Sequence, residues 1–365
     1  MTIFINAVLV FLVIRFSVTV FNFLSNPKLP RTVKHFDDLV SILIPARNEA
    51  DNIIQLLQSI KDQDYRNYEV IILNDHSTDQ TYDLVHRFCI DNPRFRIING
   101  APLPPGWLGK NFACHQLAEK AKGKYFFFID ADESIKRGLV NSMIDRVETG
   151  NLALLSIFTN QVMKTMGEKL TVPLMHFILI NLLPLRLVRL AKNPSLAAAS
   201  GQCMFFKSRS YLQNQWHERV KNKVVEDVEI IKLVKQEKFN AEALLGNNLI
   251  YCRMYNNLNE CLNGFSKNLL AGFGSNILIL LFYLLLVIIG PVILVFNLNI
   301  TLLVLPIGLI ILSRIMISYL SGQNVLINLI LHPFQMLFFI IIAFISIQKH
   351  IFKTGTWKGR TIKTI

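Results

Sequence analysis

Apolar residues follow two different patterns along this chain. At the ends they form long runs, one at 3–24 and three more near 275–296, 300–320 and 326–347. Runs of about 20 apolar residues are long enough to cross the hydrocarbon core of a bilayer as helices. Between the ends, from about residue 39, short apolar runs alternate with segments of helical spacing. The pattern predicts one N-terminal and about three C-terminal transmembrane helices, with an α/β domain between them.

The central segment reads as strand, helix, strand in repeated order. Strands are predicted at 39–44, 70–73, 95–98 and 125–129, with helices at 49–60, 84–88 and 109–121, and we expect Pro45 to end the first strand. Strands separated by helices of this length form right-handed crossovers and a largely parallel sheet. The sequence therefore predicts an α/β domain built on a largely parallel sheet.

A second apolar stretch, at 172–188, is interrupted by Pro173, His176, Pro184 and Arg186. These residues disfavour a full span and favour an interfacial hairpin at 170–190 that passes a lipid sideways to the neighbouring domain. The predicted organisation is an anchor at 1–26, an α/β domain at 37–265, membrane helices at 272–348 and a basic tail at 349–365, with Trp357 as an interfacial anchor.

Charge and composition limit the classes of binding partner and the cellular location that the sequence allows. The formal net charge is +13, from 38 Lys+Arg against 25 Asp+Glu, and 52% of the residues are hydrophobic. A basic chain suits nucleic acid, an anionic membrane face or an anionic substrate, and the apolar ends favour the membrane over nucleic acid. Basic residues after the first run place that flank in the cytosol by the positive-inside rule. We therefore expect a multi-pass protein of the cell membrane with a cytosolic α/β domain, although three later spans would then leave the basic tail outside.

Acidic residues follow most of the predicted strands. Asp130 and Asp132 come directly after the aromatic strand at 125–129, and Glu49 and Asp75 follow the first and second strands. Ligands of open α/β sheets bind in the crevice at the carboxyl ends of the strands, and carboxylates there suit Mg²⁺ or Mn²⁺ and nucleotide hydroxyls. The alternative for Asp-Ala-Asp by itself is an ordinary turn.

Two cationic residues and one acid pair complete the candidate chemistry. Arg47, after Pro45-Ala46, and Lys110, at the start of a helix after Gly109, would offset the charge of a diphosphate. Glu226 and Asp227 begin another helix, where a solvated pair that complements the helix dipole is the commoner arrangement. There is no P-loop motif and no dinucleotide fingerprint.

Four ordered motifs carry a resemblance to a known family. Pro-Ala-Arg-Asn-Glu at 45–49, Asn-Asp-His-Ser-Thr-Asp at 74–79, Trp-Leu-Gly-Lys-Asn-Phe-Ala-Cys at 107–114 and Asp-Ala-Asp at 130–132 resemble the family 2 glycosyltransferases. Within that family they are most similar to membrane-bound enzymes that glycosylate carotenoid acids in bacteria and to hopanoid-associated enzymes. The resemblance implies a Rossmann-like GT-A nucleotide-sugar domain of the α/β class.

Residue roles follow from the resemblance at matching positions. It implies that the donor is bound by Pro45, Arg47, Glu49, Asp75, Lys110 and Asp130, that Asp132 holds the metal, that Asp227 is the general base, and that Gly201, Gln202, Glu226 and Phe265 lie on the acceptor side. Phe265 occupies the place of the tryptophan in the Gln-x-x-Arg-Trp motif of processive relatives, and Asn263-Gly264 replaces the residues before it. This departure favours transfer of a single sugar.

The resemblance therefore implies inverting transfer of one hexose from a nucleoside diphosphate sugar, with UDP-glucose expected, to a membrane lipid such as a carotenoid or another isoprenoid. The acceptor could instead be another lipid or a polysaccharide precursor. From other classes, a non-catalytic nucleotide-binding membrane protein, a receiver-like domain or a transporter remain alternatives. A receiver needs an acid pair at the first strand, which Pro45-Ala46-Arg47 does not supply, and a transporter needs ionisable residues within its spans.

Overall fold

The computed structural model describes residues 2–352 and, by backbone alone, 356–357 and 360–361, so the role predicted for the Trp357 side chain lies outside the described part. Its helices are α1 Thr2–Ser25, α2 Ile53–Lys61, α3 Thr81–Ile90, α4 Gly109–Lys120, α5 Leu139–Thr149, α6 Met166–Thr171, α7 Pro173–Leu182, α8 Arg186–Leu190, α9 Ser208–Asn214, α10 Trp216–Arg219, α11 Glu226–Gln236, α12 Leu258–Gly272, α13 Ile277–Leu284, α14 Gly290–Asn297, α15 Ile300–Ser321, α16 Val325–Ile330 and α17 His332–Phe352.

The strands are β1 Val40–Ala46, β2 Tyr68–Asn74, β3 Phe95–Asn99, β4 Tyr125–Ile129, β5 Glu133–Ile135, β6 Leu152–Phe158, β7 Asn160–Gln161, β8 Cys203–Lys207, β9 Asn240–Leu245, β10 Ile250–Cys252, β11 Thr356–Trp357 and β12 Arg360–Thr361. The chain divides into two compact units. We call residues 27–160 and 185–253 the sheet unit, and residues 1–26, 161–184 and 254–365 the helical unit. The sheet unit does not include 161–184 or 254–265, and the bounds of 37–265 for the α/β domain stay a prediction.

A seven-stranded sheet in the order β3-β2-β1-β4-β8-β6-β9 forms the centre of the sheet unit. Its neighbouring strands pair in parallel except at β8, which is antiparallel to both β4 and β6. This confirms the predicted, largely parallel sheet. All five residues of β4 are buried, as an aromatic strand between two neighbours requires. The apolar stripe of α2, formed by Ile53, Leu56, Leu57 and Ile60, packs in the same core.

The prediction that Pro45 ends the first strand is wrong. β1 continues through Pro45 to Ala46, in register with Leu73 and Asn74 of β2. The carbonyl of Ala46 accepts the amide of Asp75 on the β2 side at 2.8 Å. Because successive residues of a strand point their backbone groups to alternate sides, the backbone of Pro45 points towards the β4 side of β1. Pairing with β4 ends at Leu43. No ladder bond is lost at Pro45, because its missing N–H lies beyond the paired part of that edge.

Among the described residues of the helical unit, four helices are long and apolar enough to cross a membrane: Thr2–Ser25, Ile277–Asn297, Ile300–Ser321 and His332–Phe352. The predicted number and placement of apolar helices are therefore confirmed. A π-helical stretch, Leu285–Ile289, joins α13 to α14 within the second of them. The last helix begins later than predicted, because α16 ends at Ile330 and Pro333, which lacks an amide hydrogen, occupies the first turn of α17.

The stretch predicted as an interfacial hairpin is helical, with α7 ending before Pro184 and α8 beginning at Arg186. Within the helical unit, Phe177 of α7 is buried and lies against Arg15 of α1 and Arg314 of α15. The interfacial position of 170–190 stays a prediction. Replacing Phe177 would therefore disturb the packing of α7, so a loss of activity in such a variant would not by itself show a role in lipid delivery.

Candidate active site

The loops that follow β1 and β2 are tied together at one edge of the sheet. Arg47 donates from Nη1 to the carbonyls of Asp75 at 2.6 Å and His76 at 3.1 Å. The amide of Glu49 donates to Oγ1 of Thr81 at 2.8 Å. Arg47 thus braces the backbone that carries Asp75. The predicted donor-binding residues Arg47, Glu49 and Asp75 belong to one loop pair, and Pro45 lies in β1 directly before the first of these loops.

Lys110, at the start of α4, lies at the centre of an ionic cluster. Its ammonium is 2.8 Å from a carboxylate oxygen of Asp130 and 3.4 Å from one of Glu226. It also donates to the carbonyl of Gly201 at 3.2 Å. Lys110 and Glu226 are mostly buried, with 23% and 12% of their side chains exposed. Burial acts to lower the pKa of Lys110, but the charges of Asp130 and Glu226 outweigh it and raise this pKa well above its ordinary value. The ammonium therefore stays charged.

Asp227 is held on the other side of Gly201. One of its carboxylate oxygens accepts the amide of Gly201 and the other accepts the amide of Val228, each at 2.8 Å. Burial is the largest cause that raises the pKa of Asp227 above its usual range, and repulsion from Glu226 adds to it. A carboxylate with a raised pKa, held in a fixed orientation, is suited to general-base work near neutral pH.

Gly201 allows these groups to meet. A Cβ at this position would lie 3.0 Å from a carboxylate oxygen of Glu226, 3.3 Å from the Lys110 ammonium and 3.5 Å from a carboxylate oxygen of Asp227. Contacts of 3.0–3.4 Å are tight for a Cβ, so a side chain would displace the cluster. The small-residue turn that the sequence placed on the acceptor side is therefore also the point where Lys110 and Asp227 approach one backbone.

Gln202 connects the same turn to the strand-end acids. Its carbonyl accepts the amide of Asp130 at 3.1 Å, and its side-chain oxygen accepts the hydroxyl of Thr159 at 3.1 Å. Its side-chain amide lies 3.1 Å from the sulfur of Cys252. Gln202 is thus a positioning residue in this structure, which the motif alone did not indicate.

Asp132 is the sequence-predicted metal ligand, and it forms a compact group with Glu133 and Cys252. The ligand atoms of the three residues all lie within 4.8 Å of one another. Both carboxylate oxygens of Glu133 are buried, and neither has a hydrogen-bond partner among the residues that the structure describes. Burial, with the charge of Asp130 next, raises the pKa of Asp132 above its usual range. Crowded carboxylates of this kind fit a divalent cation, which would relieve their repulsion.

The thiol of Cys252 plays a different part from the two carboxylates. Cys252 lies 3.5 Å from a carboxylate oxygen of Asp132, to which it donates. Burial and the neighbouring carboxylates raise the pKa of this thiol well above its ordinary value. A neutral thiol is a poor ligand for Mg²⁺ or Mn²⁺, which prefer oxygen. The donor set therefore fits a hard cation on Asp132 and Glu133, with Cys252 orienting Asp132.

Phe265, predicted to lie on the acceptor side, and the buried residue His217 both contact aromatic rings. Phe265 lies in α12 of the helical unit and packs edge-to-face on Tyr255, with ring centroids 5.3 Å apart. Gly264 permits this approach, because a Cβ there would clash with the Tyr255 side chain. His217 is buried in the sheet unit, 2.7 Å from the Tyr211 hydroxyl, and burial lowers its pKa to about 3. It is a neutral core residue.

Sequence reasoning missed Glu133 and Cys252. Glu133 directly follows Asp132, so its position in the acidic run was an available signal. Cys252 had none, since it lies 120 residues from Asp132 along the chain.

Comparisons with known proteins agree with the geometry. Residues 41–213 match the model of Glycosyl transferase family 2. The chain is 24% identical over 249 residues to the 4,4'-diaponeurosporenoate glycosyltransferase of Staphylococcus haemolyticus, covering 65% of this chain and 62% of the relative. It is 33% identical over 118 residues to the UDP-Glc:alpha-D-GlcNAc-diphosphoundecaprenol beta-1,3-glucosyltransferase WfaP of Escherichia coli, covering 31% of this chain and 42% of the relative. The chain thus spans less than two thirds of the length of these curated relatives.

Among solved structures, the chain is similar to a mannosyltransferase from Pyrobaculum calidifontis in complex with GDP-Man and Mn²⁺, with a TM-score of 0.55 and 14% identity. That similarity covers 95% of this chain and 99% of the other, and it shows a shared GT-A-like fold. Residues 41–213 of this chain therefore form a glycosyltransferase family 2 domain.

Proposed function

We propose that this protein transfers one hexose, with inversion, from a nucleoside diphosphate sugar to a lipid of the membrane. The observation that carries the proposal is the continuous contact from Asp130 through Lys110 and Gly201 to Asp227. It joins the strand-end acids expected on the donor side to a carboxylate expected on the acceptor side. Such a chain of contacts would hold the two reactants in one orientation.

In this proposal each charged group has one task. Lys110 turns from Asp130 and Glu226 towards the diphosphate, whose charge it offsets. Asp227 takes the proton of an acceptor hydroxyl as that oxygen bonds to the sugar C1 and the bond from C1 to the diphosphate breaks. Mg²⁺ or Mn²⁺ on Asp132 and Glu133 would supply charge stabilisation for the leaving diphosphate. Asp75 and Glu49 would hold the nucleoside through its hydroxyl or N–H groups.

The donor and acceptor follow from the relatives and the membrane helices. We propose UDP-glucose as the donor, because one relative is named for UDP-Glc. We propose an isoprenoid lipid as the acceptor, because the two relatives are named for diaponeurosporenoate and diphosphoundecaprenol. Four helices able to cross a membrane would keep the domain beside such lipids, and basic residues after the first helix favour a cytosolic position for it.

The test is a transfer assay on the full chain in detergent, with radiolabelled UDP-glucose and bacterial lipid extract. We expect label in the organic phase only when Mg²⁺ or Mn²⁺ is present. UDP binding, measured by calorimetry, should depend on the metal in the wild type and lose that dependence in Asp132→Asn. A metal-independent UDP affinity, equal in the two proteins, would contradict the metal assignment. Absence of any binding or hydrolysis of sugar nucleotides would contradict the proposed activity itself.

A further inference from the structure

The helical unit contains a partly open cavity of about 330 Å³ that the proposed reaction does not use. Its walls come from α1, α7, α15, α17 and the irregular part of the Ile277–Asn297 helix. Most of the lining is aliphatic, and the cavity lies among the helices that are able to span a bilayer. A volume of this size is within the range of small-molecule sites.

One wall of this cavity carries a buried cation. Arg15 of α1 is 6% exposed and lines the cavity. Its guanidinium lies 5.0 Å from the ring of Phe177 and 5.9 Å from that of Tyr283, and these rings compensate part of its charge. The cavity lining, which falls within the described residues, contains no aspartate or glutamate. A guanidinium in this position is costly unless an anion joins it.

Three buried polar atoms on residues that line this cavity have no hydrogen-bond partner among the described residues. They are Nε of Arg15, Nδ2 of Asn181 and Nδ1 of His332. Asn181 is 1% exposed. The first two atoms are hydrogen-bond donors, whereas Nδ1 of His332 donates or accepts according to its tautomer. Buried polar atoms are almost always hydrogen-bonded in native proteins, so two orphan donors beside one cavity indicate a ligand with acceptor oxygens.

Arg314, another buried arginine of this unit, shows the contrast. It is 1% exposed and donates to the side chain of Gln335, which in turn donates to Asn328 at 3.1 Å. Arg314 does not line the cavity. Among the described residues, Arg314 therefore has one side-chain acceptor, although its Nη1 is also without a partner, whereas Arg15 has no side-chain acceptor.

The helix beside the cavity is also irregular. Val287 and Ile288 belong to the π-helical stretch Leu285–Ile289, and Pro291 follows it. π-helical turns are rare and frequently lie at functional sites. The widened turn brings side chains of this helix to the cavity wall, which a regular helix would place differently.

From these observations we propose that the cavity binds a long-chain carboxylate taken from the bilayer. Its carboxylate would pair with Arg15 and accept from Asn181, and its hydrocarbon chain would fill the aliphatic part. A carboxylate brings one negative charge and two oxygens, which matches one unpaired guanidinium and few donors; a phosphate would bring more oxygens than there are orphan partners. This site goes beyond the proposed sugar transfer and does not depend on it.

The experiment measures binding of radiolabelled palmitate to the full chain in nanodiscs, with hexadecanol and hexadecyl phosphate as competitors. We expect palmitate to bind about tenfold or more tightly than hexadecanol, and Arg15→Gln to weaken palmitate by a similar factor while leaving hexadecanol almost unchanged. Equal affinity for palmitate and hexadecanol, or an unaffected Arg15→Gln protein, would overturn the proposal. Stronger competition by hexadecyl phosphate would show a phosphate-headed occupant and overturn the choice of carboxylate.

A second pair of variants covers a failure of Arg15→Gln to fold. Ile310→Trp should fill the cavity and abolish palmitate binding, whereas Leu305→Trp, on the same helix at a position that is 61% exposed, should leave it intact. Equal binding by the two tryptophan variants would contradict the site. UDP binding is measured in every variant, so that loss of the sheet unit is distinguished from loss of this cavity.

Discussion

Replacing Asp227 by asparagine should have two separate effects. It should remove the loss of folding stability that ionisation of this buried carboxylate causes, and it should remove the general base. The folded chain raises the pKa of Asp227, mainly through burial and then through Glu226. The stabilising contribution of such a group is fully present below its unfolded pKa of about 3.9 and is lost as the pH rises through the folded value. Asparagine does not titrate, so the variant escapes this loss.

The expected magnitude follows from the same linkage. Each unit by which the folded pKa exceeds the unfolded value is equivalent to about 1.4 kcal/mol. Burial and the charge of Glu226 raise this pKa to about 7. Because Asp227 is only partly buried and accepts two amides, solvent screening reduces the corresponding free energy. The free energy of unfolding of Asp227→Asn minus that of the wild type should then be about 1–3 kcal/mol larger at pH 8 than at pH 4. The sign of this change is the critical result.

The assay is thermal unfolding in detergent at pH 4, 6 and 8, read as the difference in Tm between variant and wild type. Glu229→Gln is the matched control, because it makes the same change on the same helix in a surface pair with Lys232. Surface pairs contribute about 0–1 kcal/mol, so its Tm difference should vary little with pH. A Tm difference for Asp227→Asn that is flat across this range, or that falls with pH, would refute the reasoning.

Activity should move in the opposite direction from stability. With a hydroxyl acceptor, Asp227→Asn should lower kcat by about 10²–10⁴-fold, the usual contribution of general-base catalysis. With a carboxylate acceptor, which is already ionised, the loss should be far smaller. Wild-type kcat/KM for a hydroxyl acceptor should rise with pH as Asp227 ionises. Equal losses for the two acceptor types would show that Asp227 acts by positioning alone.

Three further predictions follow from the site. Gly201→Ala should lower the transfer rate by about tenfold or more, because the added methyl group crowds Glu226 and Lys110. Gly272→Ala is the control and should leave the rate unchanged, since a Cβ there meets nothing within 4 Å. Equal rates in the two variants would contradict this role of Gly201. Lys110→Met should destabilise the protein by about 3 kcal/mol, since it leaves two mostly buried carboxylates without their cation; a loss below about 1 kcal/mol in thermal unfolding would show that the pair is effectively solvated. Mass spectrometry of the lipid product should show one added hexose, and a ladder of hexoses would contradict single transfer.

The sequence by itself determined the architecture and the position of the acids. Periodicity gave four membrane-length apolar helices and four parallel strands, because both depend on neighbouring residues and on the period of each element. It also placed Asp130 and Asp132 at a strand end, where the parallel topology gathers polar groups. The error at Pro45 arose because the consequence of a missing amide hydrogen depends on which edge of the strand it faces, and that is set by the neighbouring strands.

The tertiary structure alone decided which of these groups meet. Lys110 contacts the carbonyl of Gly201, which is 91 residues away along the chain, and Cys252 reaches Asp132 across 120 residues. No local pattern encodes such pairs, since they follow from the order of strands in the sheet. The same holds for Arg15. In the sequence, Arg15 is one charge within an apolar run, and nothing in that run indicates a partner for it. The cavity beside Arg15 exists only because α1, α7 and the C-terminal helices pack around a space that their side chains do not fill.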